Sequence, residues 1–506
     1  MRVNFLSLAV SVSVAISSLT GAVQATKTIR TKVVILGGGV SGISAARNLT
    51  QSGIDDFVIV EARDILGGRA QDAAFADTRV ELGCNWVQGL GTNPINELRK
   101  KYKLKTAVTN GDDVTFYDQN GKIKGGKKTY DRFNEAYEAV AKMSDYRIAN
   151  NMADVSVRTS LDMVGWKPLT PLEKAVEYYV FDWESAETPE VSSSIYSTIN
   201  DNATYNGFGP GSDGDLFVVD KRGFKYPFIQ EAKKFLKQND SRLKLNTQVT
   251  KVEYNKKGVT VYTDKDEIIH ADYAIVTFSL GVLQNNDVKW APEFPSWKKE
   301  GLAGFHMATY TKIFMNFPYQ FWDDNQFTVY ADPGRRGYFN AWQNLNAKGF
   351  YPKNTTTNIF FVTVTQDQSY DVESMTDKEV QDEIMVVLRS MYGDHVPEPT
   401  EFLFPRWHSN PLFRGTYSNW PIGELGQHHV NMKAPLNNRL FFAGEAMHNE
   451  EFGFLQGAWL SGEETAANVA QCIKKRCPRA EYFPVITNAK LRPDFIRKRG
   501  YIPGYI

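Results

Sequence analysis

Residues 33–49 read VVILGGGVSGISAARNL. An unbroken apolar run at 33–36 meets three glycines, and Val40, Ile43, Ala46 and Leu49 then recur at helical spacing, which predicts a buried strand, a tight bend and a helix. Gly37, Gly39 and Gly42 form G-x-G-x-x-G. In that pattern Gly37 permits the turn, Gly39 lets backbone N–H groups approach a pyrophosphate, and Gly42 lets the helix pack against the strand. The phosphates would sit at the positive end of the helix. Alone, the pattern also fits a simple turn. Residues 57–60 (FVIV) predict a second strand, and Glu61 ends it where an acid accepts ribose hydroxyls. The combination reads as a dinucleotide site without a 2′-phosphate.

The chain around this unit has 506 residues, too many for one core, so several domains are expected. Lys+Arg and Asp+Glu both total 58, so no basic surface for nucleic acid is indicated and recognition by charge must be local. Arg2, the apolar run at 5–16 and the small residues Val23-Gln24-Ala25 read as a secretory signal over 1–25. That run is shorter than a spanning helix needs, so a secreted protein without stable membrane association is expected. Asn48, Asn202, Asn239 and Asn354 each begin an N-x-S/T glycan acceptor. Of three cysteines, Cys472 and Cys477 could pair and leave Cys84 free, although their spacing does not guarantee bridging geometry. No H-E-x-x-H or Cys/His cluster occurs, so no metal is expected, and His428-His429 reads as a solvated loop.

The segment EARDILGGR (61–69) carries the reading further: Gly67-Gly68 would let a second loop approach the cofactor, and Arg69 could neutralise its pyrophosphate. A plain nicotinamide domain has no use for these residues. With ELGCNWVQG (81–89), the segment resembles the FAD-binding start of the flavin amine oxidases. YYVFDWESAETP (178–189), FHMATYTKIFMNFP (305–318), FPRWHSNPLFRGTYSNWP (404–421) and FFAGEAMH (441–448) extend the likeness, which is greatest to secreted plant and fungal polyamine oxidases.

The resemblance implies an α/β fold, a Rossmann-like FAD-binding domain built from discontinuous segments with an interleaved α+β substrate domain. The expected partition is FAD-binding at 26–110, 216–282 and 411–477, substrate domain at 111–215 and 283–410, and a tail at 478–506. Residues 94–188 read as largely helical and charged, while 258–264 and 271–283 read as strands, the second leaving a turn. The implied reaction passes hydride from the carbon beside an amine nitrogen of spermine or spermidine to flavin. Water then hydrolyses the imine to an aldehyde and an amine, and O2 reoxidises the flavin, giving H2O2. A monomer is expected, with a polyamine and O2 as its small-molecule partners.

Lys312, flanked by Tyr310, Ile313 and Phe314, is the expected catalytic residue: the family's lysine holds a water against flavin N5. Locally the same residue fits an edge-strand lysine facing solvent. Glu184 matches an acidic partner for a polyamine nitrogen, and Tyr417 and Phe454 match aromatic faces that flank the amine. Tyr310 and Gln88 complete the expected substrate contacts. Gln88 departs from the family, which carries glutamate there, so one of two acidic contacts is neutral. Asp213 and Asp215 are weaker candidates for an acidic tunnel mouth, and Asp182 and Glu187 fit solvated helix charges.

Expected cofactor contacts are Gly37, Gly39, Gly42, Glu61, Gly68, Arg69, Trp86, Val249, Trp407, Phe413, Glu445 and Gly453. Glu445, taken as an unpaired acid, would need water or a hydroxyl between it and phosphate. Phe413 and Phe454 stand where the family has tyrosines. Residues 405–445 contain no cysteine, so noncovalent FAD is expected. Two other readings stay open: a secreted L-amino acid oxidase, with Arg406 or Arg414 as a carboxylate clamp, and a flavoprotein that binds polyamine without turnover.

Overall fold

The computed structural model describes residues 27–351 and 357–486. The expected signal, Asn354 and the end of the tail lie outside the described residues.

Strand β1 (Lys27–Leu36) runs parallel to β2 (Phe57–Val60) on one side and to β3 (Glu267–Val276) on the other, with Val33 opposite both Phe57 and Tyr273. Alternation along β1 sends Val33 and Ile35 into one core layer and Val34 and Leu36 into another. Burial on both faces is why the run is apolar without interruption. Outward from β2 lies Leu243–Lys244; beyond β3 follow Gly258–Thr263, Val249–Asn255 and Lys289–Ala291, and Leu440–Phe442 pairs parallel with β3. One sheet therefore draws on both ends of the described chain. Its strand Lys289–Ala291 comes from a stretch that the sequence analysis gives to the substrate domain.

Helix α1 (Val40–Gln51) crosses from β1 to β2, and the helix Leu455–Ile473 packs along it. The approach is close: a Cβ at Gly462 would lie 2.0 Å from Ser44 Oγ. Ser44 Oγ donates to the Trp459 carbonyl at 2.9 Å. Cys472, in the last turn of this helix, forms a disulfide with Cys477 just beyond it, and Cys84 is free.

A second sheet holds β4 (Tyr310–Asn316) between Glu401–Leu403 and the antiparallel β5 (Ile359–Thr365), continuing through Ala341–Asn344, Phe327–Tyr330, Val114–Asp118 and Gly121–Lys122. The strands at 106–108 and 114–118 interrupt the region expected to be helical. Both are short, and their partners, Asp215–Val218 and Phe327–Tyr330, lie far along the chain. The small sheet that joins Trp86–Gln88, Asp215–Val218 and Thr106–Val108 places Gln88 directly opposite Asp215.

The histidine pair is not a solvated loop. His428 and His429 are buried on the helix Gly426–Lys433, which packs against the helix Ser296–Gly304. His428 Nδ1 accepts from Leu425 N at 2.9 Å, and the His429 ring stacks on Trp420.

Candidate active site

All the expected site residues except Gly42, Lys312 and the weaker candidate Asp213, which is exposed, line one cavity, which lies between the two large sheets. At one end is the glycine loop. Gly37 has φ +113°, and a Cβ there would meet Thr277 Oγ1 at 2.5 Å. Gly42 stands behind the loop; a Cβ on it would be 2.1 Å from the Gly37 carbonyl oxygen, so it is the closure of the bend that requires glycine. Gly39 is different. A Cβ would meet only Gly68 Cα, at 3.8 Å, so no protein atom claims the space in front of it. Gly67 N donates to Gly38 O at 2.9 Å, which ties the second loop to the first. Glu61 accepts from Gly38 N at 2.7 Å and Arg63 N at 2.8 Å, and burial raises its pKa above the usual carboxylate value. Val249, with Thr247 and Gln248, continues the wall beyond Glu61.

Midway, Glu445 is not the unpaired acid expected from the sequence. Its Oε1 lies 3.0 Å from Arg69 Nη1, and its Oε2 accepts from Ser418 Oγ at 2.6 Å and Gly453 N at 2.8 Å. Arg69 also donates to the Thr416 carbonyl at 2.5 Å, so the pair clasps three separate stretches of chain around the cavity. Trp407 and Phe413 meet edge to face at 5.0 Å, and the Arg63 guanidinium lies over the Phe413 ring at 5.9 Å. The positive φ of Gly453, +82°, lets the loop pass Tyr417 before the helix starts at Leu455.

The far end mixes aromatic and acidic groups. Trp86 packs edge to face on Trp183 and Phe217 and donates to Thr109 Oγ1 at 3.1 Å. Tyr310 and Tyr417 lie 5.7 Å apart, and Tyr417 Oη donates to the Glu184 carbonyl at 2.8 Å. Phe454 lines the same space. Gln88 Nε2 donates to Glu184 Oε1 at 2.7 Å. Glu184 follows a π-helical turn, Tyr178–Asp182, whose last residue is fully buried and accepts both Nη groups of Arg336 at 2.6 Å. A wide turn held by a bidentate ion pair aims Glu184 into the cavity. Asp182 is therefore an internal anchor and not a solvated charge, while Glu187 pairs with His306 at 3.3 Å. Burial, reinforced by Asp215 and Asp201, pushes the Glu184 carboxyl up to about 8.

Lys312 does not face solvent. On β4 it is 1 % exposed and donates to the carbonyls of Glu81 and Gly83, both at 2.6 Å, and to Asn85 Oδ1. Gly83 and Asn85 line the cavity, so Lys312 stands directly behind its wall. Burial presses the ammonium down to about 7 and lifts the Glu81 carboxyl to about 7, while their mutual attraction opposes both shifts. Among the described residues no group of three His, Cys, Asp or Glu is placed to hold a metal ion, and no helix is long and apolar enough to cross a membrane.

Comparison with known proteins gives this geometry its context. Residues 40–470 match the model of the flavin containing amine oxidoreductases. The chain belongs to this family. It is 35% identical to polyamine oxidase 1 of Zea mays, covering 89% of this chain and 92% of that one. With polyamine oxidase 6 of Oryza sativa subsp. japonica the identity is 36%, covering 93% and 96%. Putrescine oxidase bound to putrescine superposes with a TM-score of 0.69 at 19% identity, covering 87% of this chain and 99% of that one, a likeness of fold.

The amine oxidase presents its flavin a glycine bend with open space at Gly39, an Arg69–Glu445 clasp and an aromatic corner at Trp407, and these residues fit the group. Several lining residues escaped the sequence analysis. Arg63 and Asn85 lie inside the stretches 61–69 and 81–89 without being singled out there, Thr277 directly follows β3, and Asp201 lies in the polar helix Ser194–Asn206, where nothing local separates it from a solvated charge.

Proposed function

We propose that this amine oxidase is a secreted, FAD-dependent polyamine oxidase acting on spermine- and spermidine-type amines. One observation carries the reading: a single cavity runs from a dinucleotide-type glycine bend to a half-buried carboxylate, Glu184, that faces aromatic rings and has an amide as its side-chain hydrogen-bond partner. An uncompensated half-buried carboxylate calls for a cationic ligand. Tyr417 and Phe454 supply the aromatic surface that orients an alkylamine. Glu61 and Val249 extend the cavity beyond the pyrophosphate position, which supports an adenosine half and hence FAD.

When bound, a flavin held by these residues would supply the acceptor for hydride equivalents from the carbon beside nitrogen, with O2 as the final oxidant and H2O2 as its product. The protein's part is to hold a distal ammonium at Glu184 and present the reacting carbon between the rings, while Trp86 and Trp407 exclude bulk water. Lys312, by fixing Gly83 and Asn85, positions the wall where water reaches the imine. Noncovalent FAD follows from the absence of cysteine in 405–445 and from Cys84, whose thiol burial pushes up to about 12. Asn239, exposed in a turn, is the favoured glycan acceptor. Secretion rests on the 1–25 sequence, and a monomer without stable membrane association remains part of this reading.

An amino acid oxidase would need a free arginine. Arg406 instead donates to the Met375 carbonyl and Asp377, and Arg414 is bidentate with Asp287. Anaerobic mixing of the purified holoenzyme with spermidine tests the proposal: the flavin absorbance bleaches and, on admitting air, peroxide forms. A flavin that stays yellow overturns turnover, and bleaching by leucine but not spermidine overturns the substrate class.

A further inference from the structure

We infer that Asp201 and Asp215 join Glu184 in a wall that selects amines by their number of cationic nitrogens, the two aspartates serving in place of the acid missing at Gln88. The inference rests on the polyamine reading and adds to it the residues that set specificity. It begins with register. Gln88 and Asp215 are paired residues on adjacent antiparallel strands, so their side chains project side by side from the same face. Gln88 turns its amide to Glu184, and Asp215 brings a carboxylate to the neighbouring position. From the helix Ser194–Asn206, Asp201 reaches the same cavity.

Several buried carboxylates elsewhere in this protein have cations, while Glu451 and Glu373 are each held by two or more neutral donors. Asp182 has Arg336, Asp72 has Arg79 and Lys225, and Glu231 has Arg47, Lys101 and Lys234. Glu184, Asp201 and Asp215 have no Lys, Arg or His partner among the described residues. Their contacts are neutral: Tyr137 Oη donates to Asp201 Oδ2 at 3.2 Å, Tyr205 Oη lies 3.4 Å from Asp215 Oδ2, and Asp215 Oδ1 is buried without a hydrogen-bond partner. Holding three half-buried carboxylates on one cavity wall with no counter-charge is unfavourable unless a ligand supplies it. Burial accordingly lifts both aspartates to about 6. A dication leaves part of this wall uncompensated, whereas spermine can meet every carboxylate.

The test compares kcat/KM of the holoenzyme for spermine, with four cationic nitrogens, and for N1,N12-diacetylspermine, which keeps the backbone but has only two. Asp201→Asn and Asp215→Asn preserve shape and a hydrogen-bond acceptor for the tyrosines. In each, the spermine to diacetylspermine ratio is expected to fall about tenfold. Asp201→Glu, which keeps the charge, is expected to retain a ratio near the parent's. Flavin content and melting temperature verify that the variants fold. Ratios within about threefold of the parent in both Asn variants overturn the inference while leaving polyamine oxidation standing. A parent enzyme that oxidises neither amine overturns the polyamine reading itself, and the inference with it.

Discussion

Gln88 and Glu184, from a strand near the start of the described chain and a helical turn almost a hundred residues later, meet through a 2.7 Å hydrogen bond in which the amide donates to the carboxylate. The amide favours the charged form of Glu184 without adding a charge of its own. A glutamate at 88 would instead place two carboxylates in contact, stable only with a shared proton or a bound cation.

Gln88→Glu is therefore expected to lower stability by about 1–3 kcal/mol at pH 9 and much less at pH 5. The sign follows from linkage: a carboxyl whose pKa is raised on folding adds stability at low pH and loses it as pH rises through the folded value. Thermal unfolding of the variant and parent at the two pH values measures the difference.

The acidic wall predicts a pH profile. With Glu184 lifted to about 8 and Asp201 and Asp215 to about 6, the free enzyme gains negative charge in the cavity as pH rises through these values. Below about pH 5 all three are largely neutral. The value of kcat/KM for spermine is expected to fall more than about tenfold between pH 8 and pH 5, and more steeply than for the diacetylated amine. A parallel profile for both substrates is the contrary result.

Lys312→Met leaves the carbonyls of Glu81 and Gly83 without their buried donor. Unsatisfied buried acceptors cost about 1–3 kcal/mol each. The variant should melt earlier, and one flavin half-reaction should slow about tenfold or more, read separately as anaerobic reduction and as reoxidation by O2 in stopped flow. Unchanged rates in both halves remove the assigned role.

Gly42→Ala presses a methyl group into the Gly37 carbonyl, a backbone atom that cannot yield without opening the bend. Purified variant is expected to carry less than about a tenth of the parent's flavin, a loss of more than roughly 1.4 kcal/mol in cofactor affinity. The ratio of visible to protein absorbance reports it.

Arg336→Gln removes the counter-charge of Asp182 and one of the two arginines on Glu177, which keeps Arg158; both carboxylates are fully buried. Destabilisation of about 3 kcal/mol is expected, read from denaturant midpoints. Because the same ion pair holds the turn before Glu184, KM for spermine should rise in whatever variant protein folds.

The strand, bend and helix at 33–49 were legible because each depends on neighbours a few residues away: an unbroken apolar run, glycine at a positive φ, and helical spacing. Family likeness extended that reading to most of the cavity lining. Local sequence could not decide Lys312, which fits an exposed edge as well as a buried post, because burial is set by the arrival of residues 81–85, more than two hundred residues away in the chain. Nor could it separate Asp201 from a solvated helix charge, or tell that His428 and His429 lie under a second helix. The pairing of Gln88 with Asp215 is likewise a matter of strand register across more than a hundred residues. Sequence by itself determined where the chain bends and which cofactor class the bend suits. Only tertiary closure decided which charges are compensated, since a carboxylate's cost depends on what packs around it and not on its neighbours in the chain.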